Sequence, residues 1–352
     1  MRDNALEIAS EPTLDQKVAF LSRPAAYPHA VDEVTRRETH MSWVFLAGDR
    51  VYKLKKPVRF PYLDFSTLAR RAAACRAELR LNRRLAPDVY LDVVALTTAD
   101  GALALGGGGE VVDWLVAMRR LDERETLERA IQDHRVETWQ LDRLVATLVQ
   151  FYRRSAPVLK SPAVHLCDWP RSLANNRRVL LDARFNLPAG LVRRLDRIQR
   201  AFLAHRSALI GARVRARHIV DGHGDLRPEH IWLGDPVRII DCLEFNDRLR
   251  AVDPFDEIAF LSLECERLGA AWVGEYVRAR FTRELADAVP EELFVFYRCH
   301  RAMLRARLAI AHLIEPNPRT PEKWPRLAQL YLRLAAGDAV RLERLLKRPG
   351  GR

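Results

Sequence analysis

The side chains best suited to chemistry lie in an island of strand-like sequence, RHIVDGHGDLRPEHIWLGDPVRIIDCLEF (217–245). His223-Gly224-Asp225 opens a polar loop. Ile231-Trp232-Leu233 and Val237-Arg238-Ile239-Ile240 then flank a Gly234-Asp235-Pro236 turn, and Asp241 closes the second strand. A short hairpin of this kind is expected to bring the carboxylates of Asp225 and Asp241 back towards each other. Phosphoryl transfer asks for such a pair: one carboxylate orients and accepts the proton of an attacking hydroxyl, and another holds a divalent cation against nucleotide phosphates.

The elements that must position these groups change character near residue 120. WVFLAGDRVYKLKKPV (43–58) is two alternating apolar runs around Ala47-Gly48-Asp49-Arg50, a hairpin signal. LDFSTLARRAAACRAELRLNRRLA (63–86) has helical periodicity, with Ser66 expected as its N-cap. Three more antiparallel strands are expected in VYLDVVALT, GALAL and EVVDWLVAM, the first two joined by an Asp100-Gly101 turn. Gly106 to Gly109 lead into the last of these strands rather than into a helix, so they read as a hairpin loop and not as a phosphate cradle. Beyond Arg119, the segments 122–154, 171–183, 190–211, 255–287 and 291–347 carry the 3.6-residue apolar period. Two lobes are the simplest organisation, at 1–119 and 120–352.

Composition sets the outer limits. A chain of 352 residues with 48% hydrophobic content can bury a full core. The start MRDNALEIAS has no apolar segment behind a basic region, and no apolar run approaches the ~18 residues of a membrane span, so a cytoplasmic protein is expected. Five widely spaced cysteines without a CxxC pair argue against a disulfide framework or a zinc site. The net charge of +12 invites a nucleic-acid reading, yet only seven lysines contribute and the arginines are interleaved with Ala and Leu at helical spacing, as on a solvated helix face. Only the tail RPGGR reads as disordered.

The ordered combination of HGD, a hairpin, IID and VDPFDEIAFL (252–261) resembles the aminoglycoside phosphotransferase-like kinases of the protein-kinase-like fold, whose site is built from HGDxxxxN and a following Asp at a strand end. ETHMSWVFLAGDRVYKLKKP, LDFSTL and ELRLNRRLAPDVYL are similar to an uncharacterised branch of that group, and the likeness runs from about Ala26 through the helices near His312. Some members of the branch carry an added P-loop ATPase domain. No GxxxxGK(S/T) occurs here, so the kinase-like part alone is expected. The resemblance implies an α+β, bilobal fold: a small antiparallel-sheet N-lobe with one main helix, and a larger, mostly helical C-lobe.

It also implies roles. Asp225 would be the base and Asp241 the Mg²⁺ ligand. A strand lysine would clamp the phosphates of ATP or GTP, oriented by a Glu on the following helix. Lys53 and Lys55 share one strand face by the two-residue period. Lys53, paired with Glu78, fits the pattern best, and Lys55 stays open; the bland alternatives are a basic strand edge and a helix-surface glutamate. Met118, ending WLVAM, falls at the hinge whose backbone would hold an adenine edge, and is otherwise a core residue. Arg227 sits where protein-kinase loops carry a Lys that steadies the transferred group. His223 would shape the loop by a hydrogen bond. Asp253 and Asp256 read as helix N-caps, with Asp256 the one expected to brace the catalytic loop.

His230 departs from the pattern. Asn at that position offers a second Mg²⁺ an amide oxygen, whereas imidazole suits softer ions such as Mn²⁺. The sequence therefore leaves open a kinase relying on Asp241 alone, a site with another metal, or a nucleotide-binding protein that transfers slowly or not at all. Glu244, three residues after Asp241, would be a replacement oxygen ligand. The expected acceptor is a small-molecule hydroxyl, with no membrane involvement; an Arg-rich RNA-binding protein is the reading from another class. The acceptor's identity and the oligomeric state are not written in any motif.

Overall fold

The computed structural model describes residues 11–60, 62–314, 318 and 320–347; the opening stretch MRDNALEIAS and the tail RPGGR lie outside them. The chain divides into two compact units, Met1–Glu123 with Arg238–Asp247, and Arg124–Val237 with Arg248–Arg352.

The first unit begins with helix α1 (Leu14–Leu21), capped by a Thr13 and Gln16 capping box. Strands β1 (Val34–Glu38), β2 (Ser42–Ala47) and β3 (Arg50–Lys55) follow, then a small β4 (Arg59–Phe60) and β5 (Leu63–Asp64) hairpin. Helix α2 (Leu68–Asn82) leads to β6 (Tyr90–Ala99), β7 (Ala102–Leu105) and β8 (Glu110–Arg119). The main sheet is antiparallel in the order β1-β2-β3-β8-β6-β7. Alternation decides its faces. Tyr52 and Leu54 of β3 point into a core with Phe45, Leu96 and Leu115, which leaves Lys53 and Lys55 on the opposite face. Asp100 and Gly101 both take positive φ, as a two-residue hairpin turn with the right twist requires. The N-cap of α2 is Thr67 and not Ser66: Thr67 accepts from the Arg70 amide, while Ser66 is turned back onto the Asp64 carboxylate.

The second unit is helical. It holds α3 (Leu127–Gln132), α4 (Thr138–Arg154), α5 (Pro162–Leu166), α6 (Asp168–Leu180) and α7 (Ala189–Arg215). The strand-like island contributes only two-residue strands, β9 (Val220–Asp221), β10 (Ile231–Trp232) and β11 (Arg238–Ile239), the last belonging to the first unit. The short α8 (Asp247–Arg250) and β12 (Ala251–Val252) precede α9 (Pro254–Arg267), α10 (Ala271–Leu285), α11 (Glu291–Ala311) and α12 (Lys323–Leu346). The long periodic spans of the sequence thus break where the backbone turns, at His134 and Gly269, both with positive φ. The α+β architecture expected from the sequence is present: an antiparallel sheet with one main helix, and a larger helical unit. No helix among the described residues is long and apolar enough to cross a membrane.

Candidate active site

In the sheet unit, the two lysines of β3 meet one glutamate of α2. Glu78 is completely buried, and its oxygens accept from Lys53 Nζ at 2.9 Å and Lys55 Nζ at 2.6 Å. Each lysine has a further acidic partner: Lys53 Nζ lies 2.9 Å from Asp241 Oδ1, and Lys55 binds the Glu244 carboxylate. Burial pushes Glu78 up, but Lys53 and Lys55 outweigh it and hold the carboxyl below its usual range. Burial opposes the Lys53 charge, yet Asp241, Glu78 and Glu244 together hold its pKa well above the ordinary lysine value. Glu244 is driven upward by burial, with Lys55 opposing. Both lysines are therefore ammonium ions, set in a nest of three carboxyls.

The segment that carries Asp241 is fixed by its backbone. The Asp241 amide donates to Tyr90 Oη at 3.2 Å, and the Cys242 amide donates to Asn82 Oδ1 at 2.8 Å. Asn82 in turn donates to the Glu78 carbonyl, so the end of α2 is tied to this segment. Asp241 has φ of 62°, a left-handed conformation that a non-glycine residue keeps only when its surroundings impose it. Its side chain is 45% exposed, unlike the buried Glu244. Met118 is a buried residue of β8, opposite Val51 and Tyr90 in the sheet and packed with Cys75 and Val116.

In the helical unit, the loop 223–230 leaves β9, which pairs antiparallel with β12. Glu257 of α9 is fully buried and accepts hydrogen bonds from the amides of His223, at 2.9 Å, and Gly224, and from Tyr152 Oη at 2.8 Å. Burial raises its pKa, and the His223 amide and Tyr152 hydroxyl pull it back. Gly222 makes this approach feasible, because a Cβ there would sit 2.5 Å from Glu257 Oε2 and 2.6 Å from Val252 Cγ2. The expected brace, Asp256, is turned elsewhere: it forms a two-pronged pair with Arg301, at 2.8 and 2.7 Å. Asp253 is the N-cap of α9, accepting from the Phe255 amide at 3.0 Å, and also binds Arg213.

Within the loop, His223 Nδ1 accepts from the Asp225 amide at 3.2 Å. Arg227 Nε and Nη2 both lie 2.9 Å from Asp225 Oδ2, and Nη1 reaches Glu229. His230 closes the circle. Its Nδ1 is 2.9 Å from the Asp225 carbonyl and its Nε2 is 3.0 Å from Arg227 Nη2. A carbonyl only accepts and a guanidinium only donates, so Nδ1 donates to the Asp225 carbonyl and Nε2 accepts from Arg227. Both nitrogens are engaged in shaping the loop. His230→Ala is expected to cost about 1–3 kcal/mol by removing the ring's hydrogen bonds to the Asp225 carbonyl and Arg227, while His230→Asn, which offers both a donor and an acceptor, loses less. Urea denaturation of the two variants checks this, and an alanine variant as stable as the wild type would contradict the loop-shaping role.

Among the described residues, no three His, Cys, Asp or Glu side chains are grouped to hold a metal by themselves. Mg²⁺ is commonly held by one or two carboxylates with the substrate phosphates completing its shell, and the half-exposed Asp241 carboxylate fits that chemistry.

No protein-family model matches the chain. Uncharacterised proteins of Mycobacterium tuberculosis and Mycobacterium bovis are 32% identical over 312 residues, which is 87% of this chain and 57% of theirs. The chain therefore spans little more than half the length of these curated relatives. Among solved structures, a choline kinase from Cryptosporidium parvum matches over 94% of this chain and 97% of its own, with a TM-score of 0.51 and 9% identity. The chain has the protein-kinase-like fold. A choline/ethanolamine kinase family protein from Mesorhizobium loti, 17% identical, matches over 95% of both chains with a TM-score of 0.49. An aminoglycoside phosphotransferase from Alicyclobacillus acidocaldarius, 13% identical, matches over 96% of this chain and 98% of its own with a TM-score of 0.43.

On this kinase-like fold, Tyr90, Asn82 and Glu257 are the positioning groups that sequence reasoning missed. Asn82 carried a signal, since it lies four residues after Glu78 and so on the same helix face. Glu257 carried none, being one of several acidic residues of α9.

Proposed function

We propose that the chain is a phosphotransferase that moves the γ-phosphoryl group of ATP, or GTP, to a hydroxyl of a small molecule. The observation that carries this reading is Lys53 held between Glu78 and Asp241, a cation fixed by one buried carboxylate and one half-exposed carboxylate. Lys53 holds the nucleotide phosphates, and Asp241 is the side chain that would hold Mg²⁺ or Mn²⁺. When bound, the ion supplies charge neutralisation to the phosphates. The backbone beside Met118 takes the adenine edge. Asp225 orients the acceptor hydroxyl and takes its proton, with Arg227 adding positive charge beside the developing phosphoryl charge. His230 keeps the loop in shape and Glu244 holds Lys55, so neither is required as a metal ligand. ATP supply and five free cysteines both suit the cytoplasm.

The RNA-binding reading gains nothing from three of the arginines. Arg213, Arg298 and Arg301 are buried in ion pairs with Asp253, Asp338 and Asp256, so they serve the helical core and not a displayed basic face. The phosphotransferase reading is tested by thermal melting with nucleotide. ATP with Mg²⁺ at 100 times its dissociation constant is expected to add about 2.7 kcal/mol of stability. No shift with any nucleotide and metal would overturn it.

A further inference from the structure

The two lysines of β3 share a face but differ in their surroundings. The Lys53 side chain keeps 17% exposure and touches Asp241, whereas Lys55 has none and is enclosed by Glu78, Glu244 and the Phe65 ring, 4.9 Å from Nζ. Each lysine holds two carboxylates, so what separates them is access: Lys53 keeps an exposed edge beside Asp241, and Lys55 has none from which to meet a phosphate. Its partner Glu244 lies three residues after Asp241, and Phe245 beyond it packs against Leu63 and Phe65. Tyr90 and Asn82 hold the backbone at one end of this segment. Lys55 holds the other end, across a turn whose first residue has the costly positive φ.

We propose that Lys55 is a positioning residue: through Glu244 it fixes the turn that presents the Asp241 carboxylate, and it does not contact the nucleotide. The inference rests on the phosphotransferase reading for what Asp241 presents itself to, but the restraint on the turn is independent of that reading. Without Lys55, Glu78 and Glu244 lose a shared cation, Glu244 moves towards water or takes up a proton, and the turn relaxes with it. Replacing both members of the pair by apolar side chains removes the buried charges together, which separates positioning from folding.

The experiment compares Lys53→Met, Lys55→Met and the double variant Lys55→Met/Glu244→Met by three readouts. These are nucleotide affinity without metal, Mn²⁺ affinity with a non-hydrolysable ATP analogue by electron paramagnetic resonance, and hydrogen exchange at the Asp241 and Cys242 amides. Lys53→Met is expected to lose metal-free nucleotide affinity. Lys55→Met and the double variant are expected to keep it, to bind Mn²⁺ roughly 10–100-fold more weakly, as loss of a supporting group around a metal ligand does, and to exchange faster at both amides. Loss of metal-free nucleotide affinity in Lys55→Met would make it a second clamp and overturn the proposal. Unchanged Mn²⁺ affinity and unchanged exchange in the folded double variant would also overturn it. If the wild type binds neither nucleotide nor Mn²⁺, the phosphotransferase reading fails, and exchange at the two amides still decides whether Lys55 restrains the turn.

Discussion

Asp225→Asn is expected to yield a folded protein that binds ATP as the wild type does and transfers phosphoryl groups about 10²–10⁴-fold more slowly. The side chain keeps its shape and one oxygen to accept from Arg227, but it no longer accepts a proton. Arg227 retains Glu229 as a counter-charge and His230 as an acceptor, so the loop does not lose its cation. The stability loss should be limited to about 1–3 kcal/mol, the worth of one charge-assisted hydrogen bond in a partly exposed site. Circular dichroism and nucleotide titration establish that the variant is intact, and phosphate release from ATP then reads the chemical step. Turnover equal to the wild type would remove Asp225 from the reaction.

Glu257→Ala is expected to act on the same loop from beneath, through stability. One carboxylate satisfies two loop amides and the Tyr152 hydroxyl, all without access to water. Its removal takes away the acceptor shared by three donors, at about 1–3 kcal/mol for each group that finds no substitute, so a net loss of about 3–5 kcal/mol is expected. Glu257→Gln is not conservative here, because its NH₂ group faces donors rather than acceptors. It should fall between the wild type and alanine. Urea denaturation gives the stability, and hydrogen exchange at the His223 and Gly224 amides should rise in both variants. An alanine variant of unchanged stability would show that the loop does not depend on this carboxylate.

The features legible in the sequence were those that local rules write. Apolar alternation around Gly48-Asp49 and the Asp100-Gly101 pair specify hairpins because strand period and positive φ leave few other solutions. The kinase-like fold followed from the order of short motifs. The features that escaped depend on direction in three dimensions. Asp256 and Glu257 are adjacent acids on one helix, and only the packing of α9 sends Asp256 to Arg301 and Glu257 to the loop. The β3 period placed Lys53 and Lys55 on one face but could not rank them, because what separates them is burial under Phe65 and the partner each finds near Asp241. Ser66 is the better cap by type, but the Asp64 carboxylate captured it and left the role to Thr67. At position 230 the sequence offered a metal ligand by comparison with Asn, whereas the ring nitrogens are turned to Arg227 and the Asp225 carbonyl.

The most direct measurement is Mg²⁺-dependent release of phosphate from γ-labelled ATP, with water as the default acceptor, by the wild type and Asp225→Asn side by side. A slow turnover in the wild type that requires Mg²⁺ and is lost in Asp225→Asn is the predicted result. Absence of turnover in a wild type that binds ATP, or turnover that persists unchanged in Asp225→Asn, would contradict the account.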